Sequence, residues 1–277
     1  MNGFNIFVGV PELTSAFLLP EVTDWAWDYQ IEYGSYEENC VKRNQILRVD
    51  TSIVKMQLDT TVRFQTFFKN SLMPIDFRLG IPLIQWSDRP YFTFNNGQTE
   101  ILDGQKPDLG LGDIFLDTKL AIYCREGMAV SGLLRLKLPT GDALNLTGSG
   151  SAALSTTLLY SQAMGLHRWN GNLGIVLAGK AKNFKETPQV TMKNILHFGV
   201  DYGYRFKGET YALVSLEGHQ NAFHGFTELS VLEDPPLSMG VGLAYNLLKF
   251  RYYAGIKMGL NGASADQQFL FSIKTNY

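Results

Sequence analysis

The last nine residues of the chain, FLFSIKTNY, read as a strand with two faces of different character. One face is mostly apolar and aromatic, with Phe269, Phe271, Ile273, Thr275 and Tyr277. The other face is polar, with Gln268, Ser272, Lys274 and Asn276, and Leu270 as the exception. Successive side chains of a strand point to opposite sides. Such a strand suits either a transmembrane β-barrel wall, between lipid and a polar lumen, or the last strand of a soluble β-sandwich.

The same alternation recurs along almost the whole chain after residue 22. The first example is WAWDYQIEY, in which Trp25, Trp27 and Tyr29 face away from Asp28 and Gln30. Later segments repeat the pattern and place charged residues on the polar face. This period of two predicts about twelve strands, because an amphipathic helix would have a period near 3.6.

The connections between these strands alternate in length, which favours a barrel over a sandwich. Short connections lie at 69–72, 125–127, 165–170, 206–209 and 247–249. Longer ones lie at 34–45, 87–111, 139–151, 182–191, 219–235 and 261–266. Outer-membrane barrels have short periplasmic turns, long extracellular loops and an even strand number. We therefore predict an all-β fold, a transmembrane antiparallel β-barrel of about twelve strands with both termini periplasmic.

Two regions follow from this interpretation. Residues 23–277 are predicted to form the outer-membrane β-barrel. Residues 1–22 precede it and contain apolar stretches, so we expect them to be either a periplasmic segment or a plug in the lumen. The terminal aromatic residue and its strand are typical of the signal that barrel-assembly machinery reads, and we assign that signal to Tyr277, Phe271 and Phe269.

Composition supports a membrane barrel and excludes some partners. Aromatic residues make up 13% of the chain, as expected for aromatic girdles, and no apolar run approaches the roughly 18 residues of a membrane-spanning helix. The net charge is −2, so the chain has no basic field for nucleic acid. The expected partners are outer-membrane lipid and lipopolysaccharide, the barrel-assembly machinery, and a further periplasmic or outer-membrane protein.

The polar faces identify candidate lumen residues. The set expected at a lumenal constriction comprises Asp117, Lys119, Arg135, Lys137, His197, Asp201 and Arg205. Such residues orient solutes by a transverse field when a path remains open. Alternatively they form salt bridges that fill the interior, because a twelve-stranded barrel is narrower than the 16–18-stranded porins.

Catalytic and metal sites are not expected. His219, His224 and Glu217 lie close in sequence, but a five-residue histidine spacing in an aromatic loop is a weak metal signal. A lipid-modifying enzyme would need a Ser–His pair on the lipid-facing rim, and no such pair is evident in the sequence. We predict no catalytic residue, no metal and no cofactor.

Three motifs carry a resemblance to a known family. They are FNIFVGVPELTSAFLLP from Phe4, GLGDIFLDTKL from Gly110, and KLPTGDALNLTGSGSAAL from Lys137. Together they resemble an uncharacterised family of Gram-negative outer-membrane β-barrels, a domain of unknown function that neighbours the meta-pathway phenol-degradation outer-membrane proteins. The loop Ser87–Leu111 has fewer glycines than that pattern. The resemblance implies an outer-membrane barrel and a transport channel, but no catalytic residue.

The function predicted on this basis is a passive pore or transporter for small solutes, including apolar ones. A first alternative is an occluded structural barrel that docks protein partners through its long loops and N-terminal arm. A second alternative is an outer-membrane lipid-modifying enzyme. The state of residues 1–22 would separate the first two hypotheses, because a permanent plug favours the structural barrel.

Overall fold

The fold is a closed antiparallel β-barrel. The computed structural model describes residues 25–42, 45–68, 71–86, 91–93, 99–101, 109–142, 147–179, 191–192, 194–220, 223–224, 235–261 and 267–276. The predicted N-terminal segment 1–22 and Tyr277 therefore lie outside the described residues. In the described part, no helix is long and apolar enough to cross a membrane.

The described residues contain strands of two kinds, long ones that build the wall and short ones in the connections. In chain order they are β1 Trp25–Lys42, β2 Gln45–Phe68, β3 Ser71–Trp86, β4 Tyr91–Thr93, β5 Thr99–Ile101, β6 Gly110–Leu111, β7 Phe115–Arg125, β8 Met128–Lys137, β9 Ala153–Met164, β10 His167–Ala178, β11 Thr191–Met192, β12 Ile195–Lys207, β13 Thr210–His219, β14 Phe223–His224, β15 Leu237–Leu247, β16 Phe250–Gly259 and β17 Gln267–Asn276.

Twelve of these strands form the wall, as the sequence predicted. Each pairs antiparallel with its neighbours in the order β1, β2, β3, β7, β8, β9, β10, β12, β13, β15, β16 and β17. The pairing of β1 with β17 closes the ring, with Ala26 opposite Asn276 and Ser35 opposite Gln267. Closure leaves no unpaired sheet edge among the wall strands, which is what allows a sheet to cross lipid.

One predicted loop was wrong. Residues 34–45 were expected to be irregular, but β1 and β2 remain paired as far as Lys42 and Gln45. Alternation of apolar and polar residues is expected only where one face of a strand contacts lipid, and beyond Tyr33 the apolar residues of that pattern are missing. Backbone hydrogen bonds between strands do not require apolar side chains. The β1–β2 hairpin therefore continues beyond the residues that show apolar–polar alternation.

Burial is inverted relative to a soluble protein. Large apolar side chains face outward and are exposed, for example Leu173 at 62% and Phe64 at 56%. Charged side chains face inward and are buried, for example Asp117 at 3% and Arg135 at 4%. Soluble proteins rarely expose so much contiguous apolar surface. The outer surface is therefore a lipid-facing band, and the interior is a polar lumen.

Short turns join the strands at one end of the barrel. The hairpins β7–β8, β9–β10 and β12–β13 each place a glycine with positive φ in a two-residue turn. Gly127, with φ 72°, is also crowded, because an added Cβ would lie 2.6 Å from the Ala163 carbonyl oxygen. This agrees with the predicted alternation of short turns and long connections.

The inverted burial predicts a position-dependent cost for charge on the outer wall. Leu158 is exposed at the middle of β9 and is paired with Leu173 of β10. Leu158→Arg should lower the free energy of unfolding in lipid vesicles by roughly 2–4 kcal/mol, because it carries charge to the middle of the bilayer. The measurement is denaturant unfolding of the refolded chain.

The matched control is Leu166→Arg. Leu166 is also exposed, but it lies in the β9–β10 turn at the end of the barrel. That substitution should cost only about 0–1 kcal/mol. Equal costs at both positions would contradict a lipid-facing wall.

Candidate functional site

One arc of the lumenal wall is lined by a chain of ion pairs. It crosses the four neighbouring strands β2, β3, β7 and β8. Asp117 accepts hydrogen bonds from Arg78 Nε at 2.8 Å and from Arg135 Nε at 2.7 Å. Arg78 also reaches Asp59, with Nη1 3.4 Å from Oδ2. The alternating signs let each buried charge face an opposite one, which offsets part of the cost of removing it from water.

Neighbouring residues extend this arc. Arg63 Nε donates to Asp76 Oδ1 at 2.9 Å, and Lys119 Nζ lies 3.9 Å from Asp76 Oδ2. The Arg135 guanidinium also lies over the Phe115 ring, 4.4 Å from its centroid. An aromatic face attracts a cation at this distance, so Phe115 helps to hold Arg135 against the wall.

A second buried cluster lies where β7 and β8 approach the 138–152 connection. Lys137 Nζ donates to Asp113 Oδ2 at 2.6 Å and to the Ser151 carbonyl oxygen at 2.9 Å, and it also contacts Ser149 Oγ. The Ser149 amide and hydroxyl both donate to Asp113 Oδ2, at 2.9 and 3.0 Å. Lys137 is 1% exposed. This buried pair is therefore surrounded by partners that satisfy both charges.

The same cluster joins two of the three sequence motifs that carried the family resemblance. Gly141 of the LPTGD motif donates its amide to Asp113 Oδ1 at 3.0 Å. Thr140 donates its hydroxyl to the Gly112 carbonyl oxygen at 2.9 Å and accepts the Ile114 amide at 2.9 Å. The GLGD and LPTGD motifs thus form one hydrogen-bonded unit. Their role in the described structure is architectural.

Asp113 is the central residue that the sequence analysis did not single out. It was assigned only to a polar strand face. Its carboxylate contacts an ammonium group, a hydroxyl and two backbone amides from residues 24 to 36 positions away. No local pattern reports such contacts, although the Gly-Asp pair at the entrance of a strand was a usable signal.

The remaining predicted lumen residues lie in separate places. His197 is buried on β12, with Nε2 3.2 Å from Thr157 Oγ1. Asp201 accepts a hydrogen bond from Asn170 Nδ2 at 2.6 Å. Arg205 is half-buried, and its backbone amide donates to the Leu166 carbonyl oxygen at 2.8 Å near the short-turn end.

Of the seven predicted residues, the structure therefore joins Asp117 to Arg135 directly. Lys119 and Lys137 have their own acidic partners. The other three lie on β12, on a different part of the ring. A constriction formed by all seven stays a prediction.

A cavity of about 310 Å³ occupies the lumen beside the ion-paired arc. Its charged lining comprises four acidic and six basic side chains, namely Asp28, Glu32, Asp201, Glu217, Arg78, Lys119, Arg168, Arg251, Lys257 and Lys274. Most of these lie on β1, β10, β13, β16 and β17 and were not in the predicted set. Arg168 lies in the predicted turn 165–170, which is shorter than expected because β10 begins at His167. The others fall on the polar faces of predicted strands, but only the register shows that they converge.

Tyr253 shapes one side of this cavity. The positions beneath its ring are glycines, Gly242 and Gly255, which are directly paired between β15 and β16. A Cβ added at Gly242 would lie 2.8 Å from both Tyr253 Cε2 and Oη. The tyrosine therefore lies flat on the wall, and its hydroxyl lines the cavity without filling it.

The predicted assembly signal is described in part. Phe269 and Phe271 are exposed on the outer face of β17. The Phe269 ring lies 6.2 Å from that of Tyr33 on the neighbouring β1. Recognition of these residues by assembly machinery stays a prediction.

Three of the four histidines have described side chains, and each of the three makes a hydrogen bond. Among the described residues, no group of three or more His, Cys, Asp or Glu could hold a metal ion. The histidine hydrogen bonds in this part of the chain join His167 to Tyr202, His197 to Thr157, and His219 to the Gln220 carbonyl oxygen. The side chain of His224 lies outside the described set.

Comparison with known proteins places the chain in a family. The sequence profile of the proteins of unknown function called DUF3187 matches residues 90–256, more than half of the chain. The chain belongs to this family. The match confirms the resemblance to an uncharacterised family, whereas the neighbouring phenol-degradation proteins stay a prediction. No curated protein matches the sequence.

Solved structures show the same architecture at low sequence identity. The COG4313 outer membrane channel from Pseudomonas putida F1 superposes with a TM-score of 0.66 and 11% identity, covering 96% of this chain and 100% of the channel. The transport unit of the autotransporter AIDA-I from Escherichia coli gives 0.53 and 9%, covering 100% and 96%. With its lipid-facing outer wall, this DUF3187 protein is an outer-membrane β-barrel.

The buried cluster predicts a large cost for Asp113→Ala. That change leaves the Lys137 ammonium buried without its carboxylate and should lower the free energy of unfolding by about 3–5 kcal/mol. Denaturant unfolding in detergent or vesicles measures the loss. The double variant Asp113→Ala with Lys137→Met should recover part of it, because no uncompensated charge remains.

Asp142→Ala in the same connection is the control for this prediction. Asp142 is exposed, so its loss should cost no more than about 1 kcal/mol. A loss of stability for Asp113→Ala that is no larger than for Asp142→Ala would show that the cluster does not hold the connection in place.

Proposed function

We propose that this DUF3187 barrel is a passive channel for small hydrophilic solutes. The observation that carries the proposal is the cavity of about 310 Å³ within the lumen, lined by ten charged residues and by residues with hydroxyl groups, together with Leu213 and Leu270. A barrel filled only for stability would be expected to close this space with packed side chains, as small barrels do. The fold shared with the Pseudomonas putida channel supports a transport role by analogy.

The lining favours polar over apolar solutes. Charged and polar groups on β1, β16 and β17 project into the cavity, including Gln30, Tyr253 and Ser272. An apolar solute would displace water from these groups without replacing the hydrogen bonds, which is unfavourable. The resemblance implied apolar solutes as one class, and the lumen of this chain fits the hydrophilic class better.

Ion pairs divide the lumen into a structural arc and a transport arc. On β2, β3, β7 and β8, neighbouring charges are paired, as in Arg78–Asp117 and Arg63–Asp76. The cavity extends from this arc toward β10, β13, β15, β16 and β17. The paired arc would stiffen one side of the barrel while solutes pass along the other. In this account the short turns and both termini lie in the periplasm.

The proposal is tested by single-channel conductance of the refolded chain in a planar bilayer. Steady conductance steps are expected for a channel. The chain lacking residues 1–22 is measured in parallel. Conductance only after truncation would assign those residues to a plug. Silence of both forms would contradict the channel and favour an occluded structural barrel that docks partner proteins.

Conductance should also depend on the space beside Tyr253. Gly242→Ala places a Cβ against the tyrosine ring and should push it into the cavity, lowering the conductance. The double variant Gly242→Ala with Tyr253→Ala should restore or exceed the original conductance, because the displaced ring is gone. Unchanged conductance in Gly242→Ala would show that the solute path runs elsewhere.

A further inference from the structure

We infer that the lumenal cavity contains a binding site for small carboxylate anions, centred on Arg251 and Lys274. This site would define the substrate class of the proposed channel. Anion binding itself does not require the channel function, whereas anion transport rests on it. The cavity lining has six basic and four acidic side chains, so its formal charge favours anions. The position of the surplus charge identifies the site.

Arg251 and Lys274 are direct partners in the pairing of β16 with β17. Because they are directly opposed, both side chains project from the same face of the wall, and both residues line the cavity. Directly opposed residues on one face have Cβ atoms about 4.5–5.5 Å apart. Like charges on directly opposed side chains repel each other, and an anion bound between the guanidinium and ammonium groups would relieve the repulsion.

Most other charges around the cavity already have partners. Lys257 Nζ donates to Glu217 Oε1 at 2.9 Å. The remaining pairs join Lys55 to Glu32, Arg78 to Asp59 and Asp117, and Lys119 to Asp76. By contrast, no salt bridge or hydrogen bond between described residues involves the side chain of Arg251 or Lys274. Arg168 also has partners, among them the Tyr211 ring, whose centroid lies 5.9 Å from the guanidinium carbon. Among the described residues of the lining, the positive charge that no salt bridge or hydrogen bond holds close therefore lies on Arg251 and Lys274.

Two nearby acids, Asp28 and Asp201, attract this basic pair electrostatically but form no salt bridge with it among the described residues. Asp28 is opposite Lys274 in the pairing of β1 with β17, yet within the described structure the two groups form no salt bridge. Asp28 instead accepts a hydrogen bond from Gln30 Nε2 at 3.3 Å. Asp201 accepts one from Asn170. These acids lower the affinity of the site for anions, so a bound anion can dissociate. A channel requires such release.

The chemistry of the site favours carboxylates. A guanidinium group presents a planar fork of donors that matches a carboxylate, and the lysine ammonium adds a second charged donor. Three residues that carry hydroxyl groups, Tyr253, Ser215 and Ser272, line the same cavity. They could serve a hydroxyl or a second carboxylate of the solute. The small cavity restricts the class to short organic acids.

Binding is tested without relying on conductance, by saturation-transfer NMR of succinate with the full-length refolded barrel in detergent micelles. We expect a saturable succinate signal in the unmodified chain. Lys274→Gln and Arg251→Gln should each weaken succinate binding by roughly threefold to tenfold, the effect of removing a unit charge from a partly screened site. Lys207→Gln is the matched control, because Lys207 is exposed at the β12–β13 turn, outside the cavity lining.

Selectivity provides the second measurement, as the reversal potential under a potassium chloride gradient. Chloride should be preferred over potassium, and Lys274→Gln should reduce that preference. Asp28→Asn should increase it, because it removes an acid opposite Lys274. These opposite directions cannot both arise from misfolding.

The outcomes separate the two proposals. Succinate binding without conductance would support the anion site and contradict the channel. Conductance without succinate binding, or with potassium preferred, would support the channel and overturn the anion site. Succinate binding that persists equally in Lys274→Gln, Arg251→Gln and Lys207→Gln would also overturn it.

Discussion

Closure of the sheet is the constraint on which the rest of the structure depends. In lipid, each backbone amide and carbonyl group must find a partner within the protein, and only a helix or a closed sheet provides that. The pairing of β1 with β17 supplies the last partners. Once the ring is closed, strand alternation sends one set of side chains outward and the other inward. Exposed leucines outside and buried charges inside follow from that single requirement.

A closed ring of twelve strands forces many charged groups into a narrow interior, and the structure uses two solutions. On one arc, Asp117 lies between Arg78 and Arg135, so neighbouring strands exchange ion pairs. On the other, glycines beneath Tyr253 leave open space, and Arg251 and Lys274 face it from adjacent strands. Under the proposed channel function, stability and transport belong to different parts of one wall. The Asp113–Lys137 cluster adds a third element by holding a long connection against the barrel.

The sequence predicted what depends on local alternation and did not predict what depends on register. The two-residue period of a strand predicts the number of strands. It also predicts that Asp117 and Arg135 point inward and that Phe269 and Phe271 point outward. The contacts of Asp113 and the convergence of Arg251 with Lys274 require knowing which residues face each other across strands. The loop expected at 34–45 was wrong for a related reason, since backbone pairing continues where apolar alternation ends.

The most direct test is the water accessibility of inward-facing and outward-facing positions on two wall strands, β13 and β17. With Cys40 and Cys124 replaced by serine, single cysteines are placed at Ser215 and Ser272, which line the cavity, and at Val214 and Phe269, which face outward. A charged, membrane-impermeant maleimide is then applied to the barrel in vesicles. We expect labelling at 215 and 272 but not at 214 and 269, because maleimides react with thiolates and lipid keeps thiols protonated. Equal labelling at all four positions, or labelling of the outward pair alone, would contradict a water-filled lumen inside a lipid-facing wall.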